Sequence, residues 1–359
     1  RSLDHSTVFG GSSFRRSVSL SVLLLLGLLA GCADSSSTSL HPGLTPTAKL
    51  SLPALRGNIQ EFAIPTPRSD SYGITTGPDG NLWFTESKPY KIARITPSGT
   101  LTEYSIPTPP HTNPFVTDIV TGADGNLWFT AVSDAGNIGR ITPQGVFTLF
   151  PIASPNGSPI GIVAGPDNAL WFTEASANKI GRITTSGIVT EFAIPTPQGN
   201  PIGITVGPDG ALWFTESGRF TGGVLSGGNK IGRVTPQGTI TEFSIPTPQS
   251  GPIAITAGSD GNLWFTEEIG NKIGRITTSG LITEFAVPTQ GDPHEIIAGA
   301  DGAFWFTEGR ANKIGRITSQ GVITEFTVPT PKGYPWAITS GPDNTIWFTE
   351  RIGKVGKLS

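Results

Sequence analysis

Cysteine and charge are both scarce in this chain. It has a single cysteine, Cys32, among 359 residues, and charged side chains make up 14% of them. A disulfide within the chain is therefore excluded, and the folded part must be stabilised by packing. The formal net charge is −3, and the lysines and arginines are mostly spread over repeated Lys-Ile-Gly-Arg elements. The sequence thus lacks the basic patch of a nucleic-acid-binding protein.

Long apolar runs are also rare. The exception, Val18–Ala30, follows Arg15 and Arg16 and is too short to span a bilayer comfortably. We interpret residues 1–31 as an export signal, with a membrane anchor helix as the alternative. The Leu-Ala-Gly-Cys sequence that ends at Cys32 resembles the lipobox of bacterial lipoproteins. This would make Cys32 the lipidation site, with an incidental cysteine as the other interpretation.

The segment after the cysteine has the composition of a tether. Residues 32–56 are rich in Ser, Thr, Pro and Leu, which is typical of a flexible linker. We therefore expect an exported lipoprotein that faces the periplasm or the exterior of a bacterium. It would touch the membrane only through its lipid anchor.

One motif, Leu-Trp-Phe-Thr-Glu or a close variant, dominates the rest of the chain. Its tryptophans are Trp83, Trp128, Trp171, Trp213, Trp264, Trp305 and Trp347. A period in the low forties, with 47 glycines and 31 prolines for tight turns, is typical of a β-propeller with one blade per repeat. We predict an all-β fold, a seven-bladed β-propeller that spans residues 57–359 as one domain.

Each repeat divides into four strands. In the third repeat these are Ile160–Ala164, Leu170–Glu174, Lys179–Ile183 and Val189–Ile194, and the first is the apolar innermost strand. Pro195-Thr196-Pro197 then ends the blade, because proline cannot donate to a β-ladder.

The two ends of the repeat array are complementary. The last repeat stops at its third strand, Lys354–Leu358, and an unpaired outer strand, Ile59–Ile64, precedes the first repeat. Pairing these two strands would close the ring and remove two exposed edges. The sequence thus predicts seven four-stranded blades, the last of which is completed by the N-terminal strand.

The loops that enter the innermost strands form a face of the propeller where ligands are expected to bind. The residues at this position are Tyr72, approximately Phe115, Ile160, Ile202, Ile253, His294 and Trp336. Tyr72, His294 and Trp336 belong to blades that are neighbours across the ring closure, and Glu295 stands where other repeats have glycine or alanine. We predict a ligand pocket at this channel mouth, in which His294 is suited to proton transfer. An aromatic plug of the channel is the alternative.

A carboxylate ends the second strand in six repeats. The set is Glu86, Glu174, Glu216, Glu267, Glu308 and Glu350, with Ala131 in the second repeat. Such carboxylates can bind a divalent cation, and Glu308 and Glu350 are the candidates. We expect most of the six to bond turn amides or neighbouring lysines instead.

The fourth repeat contains an insertion at residues 217–228. We expect an extra hairpin on the ligand face, with Phe220 and Leu225 as contact residues. An insertion without function is the alternative.

Three segments carry a resemblance to a known family. They are Gly77–Glu86 (Gly-Pro-Asp-Gly-Asn-Leu-Trp-Phe-Thr-Glu), Asn178–Thr184 and Ile240–Pro248. The repeat that they represent resembles that of the virginiamycin B lyases, or streptogramin lyases, over residues 57–359. The resemblance implies a seven-bladed propeller that opens the cyclic depsipeptide of type B streptogramins by elimination at its ester linkage. It also implies Mg²⁺, a histidine general base and metal-binding carboxylates near the ring closure.

Two site residues of the family have counterparts here. The tyrosine of its first blade corresponds to Tyr72, and the Pro-His of its sixth blade corresponds to Pro293-His294. Tyr72 and His294 are therefore the catalytic candidates.

The seventh blade departs from the family pattern. The lyases carry Glu-Pro-His there, with a metal-binding Glu and a His that acts as base, whereas this chain has Tyr334-Pro335-Trp336. A further family carboxylate falls on Arg351, with Glu350 beside it. Tyr334 and Trp336 are therefore candidates for ligand binding, and a Mg²⁺ cofactor is implied only by the resemblance.

Two functions from different classes follow from this sequence. We expect an exported monomeric propeller that binds a small-molecule, peptide or glycan ligand at its mouth without catalysis. The alternative is a Mg²⁺-dependent lyase, or a related ester- or lactone-opening enzyme. In it His294 would be the base, and Glu295, Glu308 or Glu350 would bind the metal.

Overall fold

The computed structural model describes residues 57–107, 115–132, 136–221 and 224–359, without the side chains of Phe220, Thr221 and Val224. The predicted export signal, the tether and Cys32 lie outside the described residues. The described residues form strands and turns, and none of them belongs to a helix that could cross a bilayer. The predicted all-β fold is confirmed.

Seven four-stranded antiparallel sheets form the blades of a propeller, numbered here by the order of their innermost strands. The innermost strands are β2 (Ser71–Thr76), β6 (Phe115–Thr121), β10 (Pro159–Ala164), β14 (Pro201–Val206), β20 (Pro252–Ala257), β24 (Pro293–Ala298) and β28 (Pro335–Ser340). The second strands are β3 (Leu82–Glu86), β7 (Leu127–Val132), β11 (Leu170–Glu174), β15 (Leu212–Glu216), β21 (Leu263–Glu267), β25 (Phe304–Glu308) and β29 (Ile346–Glu350). Neighbouring innermost strands contact each other all around the ring.

The outer half of each blade follows the same order. The third strands are β4 (Lys91–Ile95), β8 (Asn137–Ile141), β12 (Lys179–Ile183), β18 (Lys230–Val234), β22 (Lys272–Ile276), β26 (Lys313–Ile317) and β30 (Lys354–Leu358). The fourth strands are β5 (Leu101–Ser105), β9 (Phe147–Pro151), β13 (Val189–Ala193), β19 (Ile240–Ser244), β23 (Ile282–Ala286), β27 (Ile323–Thr327) and, in blade 7, β1 (Ile59–Ala63). The insertion in blade 4 forms the expected hairpin, from β16 (Arg219–Thr221) and β17 (Val224–Ser226).

The ring is closed as the sequence predicts. Strand β1 pairs antiparallel with β30, from Ile59 opposite Leu358 to Ala63 opposite Lys354. Phe62 of β1 then stacks on the indole of Trp347, with ring centroids 5.6 Å apart. The first strand of the described residues is thus part of the last blade.

Each innermost strand contains a β-bulge, where two residues stand opposite the threonine of the Trp-Phe-Thr motif. The threonine hydroxyl accepts the amide N–H of the second bulge residue at 2.9–3.1 Å. The same hydroxyl donates to the carbonyl of the first bulge residue of the next blade at 2.7–3.3 Å. The seven hydroxyls are those of Thr85, Thr130, Thr173, Thr215, Thr266, Thr307 and Thr349. They connect all seven blades into one closed ring.

The hydrophobic core lies between blades rather than inside them. Each motif tryptophan is at most 1% exposed and packs against the following blade. At the closure, Trp347 and Val355 of blade 7 pack with Ile74 and Phe84 of blade 1. Each blade packs against the blade on either side of it, so we expect the ring to unfold as a unit.

Deletion of residues 57–67 is expected to destabilise the whole propeller. It removes β1 and leaves β30 as an exposed edge, and the loss of the buried Ile64 alone costs about 2–5 kcal/mol by analogy with core Ile→Ala changes. We expect the melting temperature to fall by about 10 °C or more, as measured by calorimetry.

A matched control deletes residues 219–226 of the blade 4 hairpin, because Gly218 and Gly227 are already close together. This deletion should leave the melting temperature nearly unchanged. Equal melting temperatures for the first deletion and the intact protein would contradict the closure scheme.

Candidate functional site

An aromatic row crosses four blades at the channel mouth. Phe115 lies edge-on to Tyr72 with ring centroids 4.6 Å apart, and Tyr72 lies edge-on to Trp336 at 5.5 Å. The His294 ring lies against Trp336 at 3.6 Å. The structure therefore brings together four of the side chains that the sequence suggested as ligand-binding residues. We call this set, Phe115, Tyr72, Trp336 and His294, the aromatic row.

The register of blade 2 differs from the sequence-based prediction. Thr117 occupies the place of Tyr72, since its carbonyl accepts the hydroxyl of Thr85 just as the Tyr72 carbonyl accepts that of Thr349. Phe115 comes two residues earlier and reaches Tyr72 from the start of β6. The prediction that Phe115 is the residue equivalent to Tyr72 is therefore wrong by two residues, and its role in ligand binding stays a prediction.

Arg351 covers the centre of the aromatic row. Its guanidinium carbon lies 4.8 Å from the Trp336 ring centroid and 5.3 Å from that of Tyr72, and its Nη2 donates to the Tyr72 hydroxyl at 3.1 Å. Burial raises the pKa of Tyr72 to about 12, although the nearby Arg351 charge opposes this shift. The phenol is therefore neutral, and the site carries a fixed positive charge on aromatic faces.

His294 is a buried, neutral imidazole. The residue is 7% exposed, and neither ring nitrogen has a hydrogen-bond partner. Burial, and secondarily the Arg351 charge, lower the pKa of His294 to about 3. A general base works best with a pKa near the working pH and with a partner that orients it, and His294 has neither property here.

Two carboxyl groups occupy equivalent bulge positions in opposite parts of the ring. Glu295 of blade 6 and Asp118 of blade 2 stand where the other blades have Gly73, Gly161, Gly203, Ala254 and Ala337. Asp118 accepts the amides of Ile119 at 2.8 Å and Ile162 at 3.0 Å, and so links blade 2 to blade 3. Burial, and secondarily repulsion by Asp118, raise the pKa of Glu295 to about 8. Burial likewise raises the pKa of Asp118 to about 6.

The six glutamates of the second strands are fully buried, and the expectation that they bond turn amides or lysines is wrong. None of their carboxyl oxygens has a hydrogen-bond partner. Burial raises the pKa of each group, to about 7 for Glu174 and about 8 for the other five. Burial thus favours the protonated form of Glu308 and Glu350 and withdraws both carboxyl groups from solvent.

The neighbouring lysines pair with a second set of glutamates on the fourth strands. The pairs are Lys91–Glu103, Lys179–Glu191, Lys230–Glu242, Lys272–Glu284, Lys313–Glu325 and Lys354–Glu61, at 2.6–3.0 Å. Blade 2 has Ala131, Asn137 and Leu149 at the three places of this arrangement. With the buried glutamate protonated, each of the six sets is electrically neutral, and blade 2 lacks all three ionisable groups together.

The other predicted ligand side chains belong to the entry of β28 and to the blade 4 hairpin. Tyr334 is 44% exposed at the entry to β28, and its carbonyl accepts the amide of Arg351 at 3.3 Å. The side chain of Phe220 lies outside the described part of the chain, and Leu225 is half-buried on the hairpin. Among the hairpin side chains that the structure describes, none contacts the aromatic row.

A Mg²⁺ ion does not fit the described residues. No group of three or more His, Cys, Asp or Glu side chains suited to a metal occurs within the ranges that the structure covers. Tyr334 and Trp336 stand where the resemblance implies a carboxylate and an imidazole, and the Arg351 guanidinium would repel a divalent cation.

Asp118 and Arg351 were not predicted as site residues, although the sequence contains a signal for each. The second bulge residue of every blade stands ten positions before the motif tryptophan, from Gly73 before Trp83 to Ala337 before Trp347. Counting back from Trp128 in this way gives Asp118, whereas alignment on Phe115 conceals it. Arg351 directly follows the motif glutamate of blade 7, at a position that is Ser87 in blade 1 and Glu268 in blade 5.

Comparisons with known proteins agree on one family. A sequence model described as the virginiamycin B lyase family matches residues 57–358. The virginiamycin B lyase of Nocardia farcinica is 31% identical over 196 residues, which cover 55% of this chain and 62% of that protein. The virginiamycin B lyase of Saccharopolyspora erythraea is 46% identical over 48 residues, or 13% of this chain and 16% of that protein. The match thus spans less than two thirds of either relative.

Solved structures extend the similarity over the whole propeller. A streptogramin B lyase structure has 40% identity and a TM-score of 0.78, and the match covers 84% of this chain and 97% of that one. A catalytically inactive variant of the Staphylococcus aureus virginiamycin B lyase, solved with quinupristin, has 44% identity and a TM-score of 0.77. That match covers 84% of this chain and 99% of the other.

The buried glutamates predict that the propeller loses stability as the pH rises from about 5 to 8. The pKa of Glu267 is about 8 when folded and 4.5 ordinarily, so the folded protein binds the extra proton between these values. The contribution of Glu267 to the free energy of unfolding is therefore full at low pH, and it is lost as the pH rises through the folded-state pKa. Glu267→Gln, a neutral isostere, should raise the melting temperature at pH 8 and leave it nearly unchanged at pH 5.

Glu284→Gln in the same blade is the matched control. Its carboxylate pairs with Lys272 at 3.0 Å, and its hydrogen bonds with Thr247 and Lys272 outweigh burial and lower its pKa. This substitution should therefore lower the melting temperature at pH 8. A destabilised Glu267→Gln protein at pH 8 would show that Glu267 is ionised in the fold.

Asp118→Asn is expected to lower the pKa of Glu295, because it removes the repulsion between the two carboxyl groups. A carbon-detected NMR titration of labelled glutamate side chains measures the change. Asp292→Asn is the control, since Asp292 raises the pKa of Glu268 instead. An unchanged Glu295 titration in the Asp118 variant would mean that the two groups do not interact.

Proposed function

This chain belongs to the virginiamycin B lyase family, and we propose that it uses the family's propeller to bind a ligand without opening it. The ligand is a small molecule, a peptide or a glycan, held at the channel mouth by a monomeric protein. The observation that carries this proposal is the position of Arg351 over Trp336 and Tyr72. An arginine on two aromatic faces is a binding surface, whereas Mg²⁺-dependent elimination needs carboxylates at the same mouth.

The state of His294 favours binding over proton transfer. A conjugate acid with a pKa of about 3 makes the imidazole a weak base, and nothing in the described residues orients either ring nitrogen. The same ring offers a flat face against Trp336 and two unused polar atoms. These are properties of a contact residue in a mainly apolar ligand site.

The outer edge of the mouth has exposed apolar side chains. Tyr334 and Ile352 of blade 7 are 44% and 38% exposed, and Ile269 of blade 5 is 56% exposed. The loops that carry Ile352 and Ile269 join second and third strands, on the side where the innermost strands begin. The apolar groups of a ligand could therefore pack on these exposed side chains next to the aromatic row.

The cellular place of the protein is part of the same proposal. The apolar segment Val18–Ala30 would direct export, and lipid on Cys32 would anchor the protein to a bacterial membrane. Residues 32–56 would then separate the propeller from the bilayer, so that its mouth meets ligands in the periplasm or outside the cell.

Lyase activity is the second candidate function. It is favoured by the 40% and 44% identity to the solved streptogramin B and virginiamycin B lyases over nearly their full lengths. His294 would then act as base in an elimination at an ester linkage, and the low pKa of its conjugate acid would have to rise when the ligand binds.

Quinupristin separates the two candidates. We expect it to bind without being opened, and His294→Ala to weaken binding by about tenfold through the lost ring contact, as measured by calorimetry. Elimination leaves the mass unchanged but makes the ring linear, so chromatography with fragment-ion mass spectrometry detects it. We expect only intact quinupristin after incubation with Mg²⁺.

A linear product that requires both His294 and Mg²⁺ would overturn the binding-only proposal in favour of the lyase. Trp264→Phe, which changes a buried aromatic between blades 5 and 6, is the control for effects on the fold. Absence of any heat with quinupristin would exclude the mouth as a site for ligands of this class.

A further inference from the structure

Arg351 has hydrogen-bonding capacity that its neighbours do not use. A guanidinium has five N–H donors. Nη2 donates to the Tyr72 hydroxyl, whereas the Nε of Arg351 is buried and has no hydrogen-bond partner. The planar group lies over Trp336 and Tyr72, so its orientation is fixed by the two rings. A fixed guanidinium with unused donors is suited to a planar acceptor.

The charge of Arg351 is only partly balanced. Its nearest carboxylate, Asp70, lies 3.8 Å from Nη2, at the limit of an ion pair. The second oxygen of Asp70 faces Lys88 at 3.3 Å. One carboxylate is thus shared by two cations, and this side of the mouth keeps an excess positive charge.

A second, independent observation also points to a ligand. Both nitrogens of His294 lack partners although the residue is 7% exposed, and its ring lies 3.6 Å from the Trp336 ring that carries Arg351. A buried polar group without a partner costs stability unless something bonds it. In the neutral imidazole one nitrogen can donate and the other can accept.

Apolar surface adjoins this polar centre. Ile352 follows Arg351 in the chain and is 38% exposed, and Tyr334, whose carbonyl accepts the Arg351 amide, is 44% exposed. A ligand that places a negative group on Arg351 would therefore cover these side chains with the rest of its body.

We propose that the channel mouth binds an amphipathic carboxylate. Its carboxylate would accept hydrogen bonds from Arg351 and from the Tyr72 hydroxyl, and its apolar or aromatic part would pack on Trp336, Tyr334 and Ile352. This inference rests on the proposed binding function and names the chemical class of the ligand. The carboxylate could belong to a free organic acid or to the C-terminus of a peptide.

A matched pair of probes tests the carboxylate. N-acetyl-L-phenylalanine carries a carboxylate where N-acetyl-L-phenylalaninamide carries a neutral amide. The binding of each is measured by calorimetry in the presence of EDTA, which removes adventitious metal. We expect the acid to bind at least about tenfold more tightly than the amide, because charge-assisted hydrogen bonds are the stronger ones. 3-Phenylpropanoate, which lacks the peptide group, distinguishes the two ligand sources: equal binding favours a free acid, and weaker binding favours a peptide terminus.

Arg351→Gln should abolish the preference for the acid. Arg310→Gln is the matched control, because Arg310 lies on the corresponding loop of blade 6 and pairs with Asp292 at 2.9 Å, whereas Arg351 lies over Tyr72 and Trp336. It should keep the preference. The melting temperature of Arg351→Gln checks that this variant is folded. Arg351→Lys retains the charge but not the fork of donors, and should keep only part of the preference for the acid.

The possible outcomes are distinct. Equal affinity for acid and amide in the intact protein, or an unchanged preference in Arg351→Gln, would overturn the carboxylate inference and leave the binding function in place. If neither probe binds at millimolar concentration, the inference fails, and the quinupristin measurement decides the binding function separately.

Discussion

Seven buried threonine hydroxyls hold the geometry of the propeller. Each accepts an amide within its own blade and donates to a carbonyl of the next, so one side chain satisfies two buried backbone groups. Loss of a hydroxyl would leave both groups unpaired, at a cost of about 1–3 kcal/mol each. The same bonds hold the bulge in place, and the bulge sets which residue of each innermost strand approaches its neighbour. A Cβ added to Gly161, for example, would meet the carbonyl oxygen of Ile202 at 2.5 Å.

This constraint explains why the mouth is asymmetric although the blades repeat. The first bulge residue is anchored by its carbonyl alone, so its side chain varies freely, from Ile160 and Ile202 on one side of the ring to Tyr72 and Trp336 on the other. The closed ring then places blades 6, 7, 1 and 2 side by side. Four aromatic rings and one guanidinium from distant parts of the sequence consequently share one surface.

Most of the fold could be predicted from the sequence, because the Trp-Phe-Thr repeat and its turn residues encode it locally. The closure by β1 followed from an unpaired strand at one end and a missing strand at the other. The site was harder to predict, since a two-residue error in the register of blade 2 assigned the bulge position to Phe115 and left Asp118 unnoticed. The burial of the second-strand glutamates was also missed: their spacing suggested bonding to lysine, but each lysine instead bonds a glutamate such as Glu284 on the next strand.

The pairing of β1 with β30 also affects how the protein is made. Ala63 leaves the ribosome long before its partner Lys354, and at about 5–20 residues per second the delay is of the order of 15–60 s. Throughout this interval a β-strand edge stays unpaired, and a set of tryptophans stays without the blades that bury them. The slower the synthesis, the longer these unpaired groups are open to self-association before the last strand has emerged.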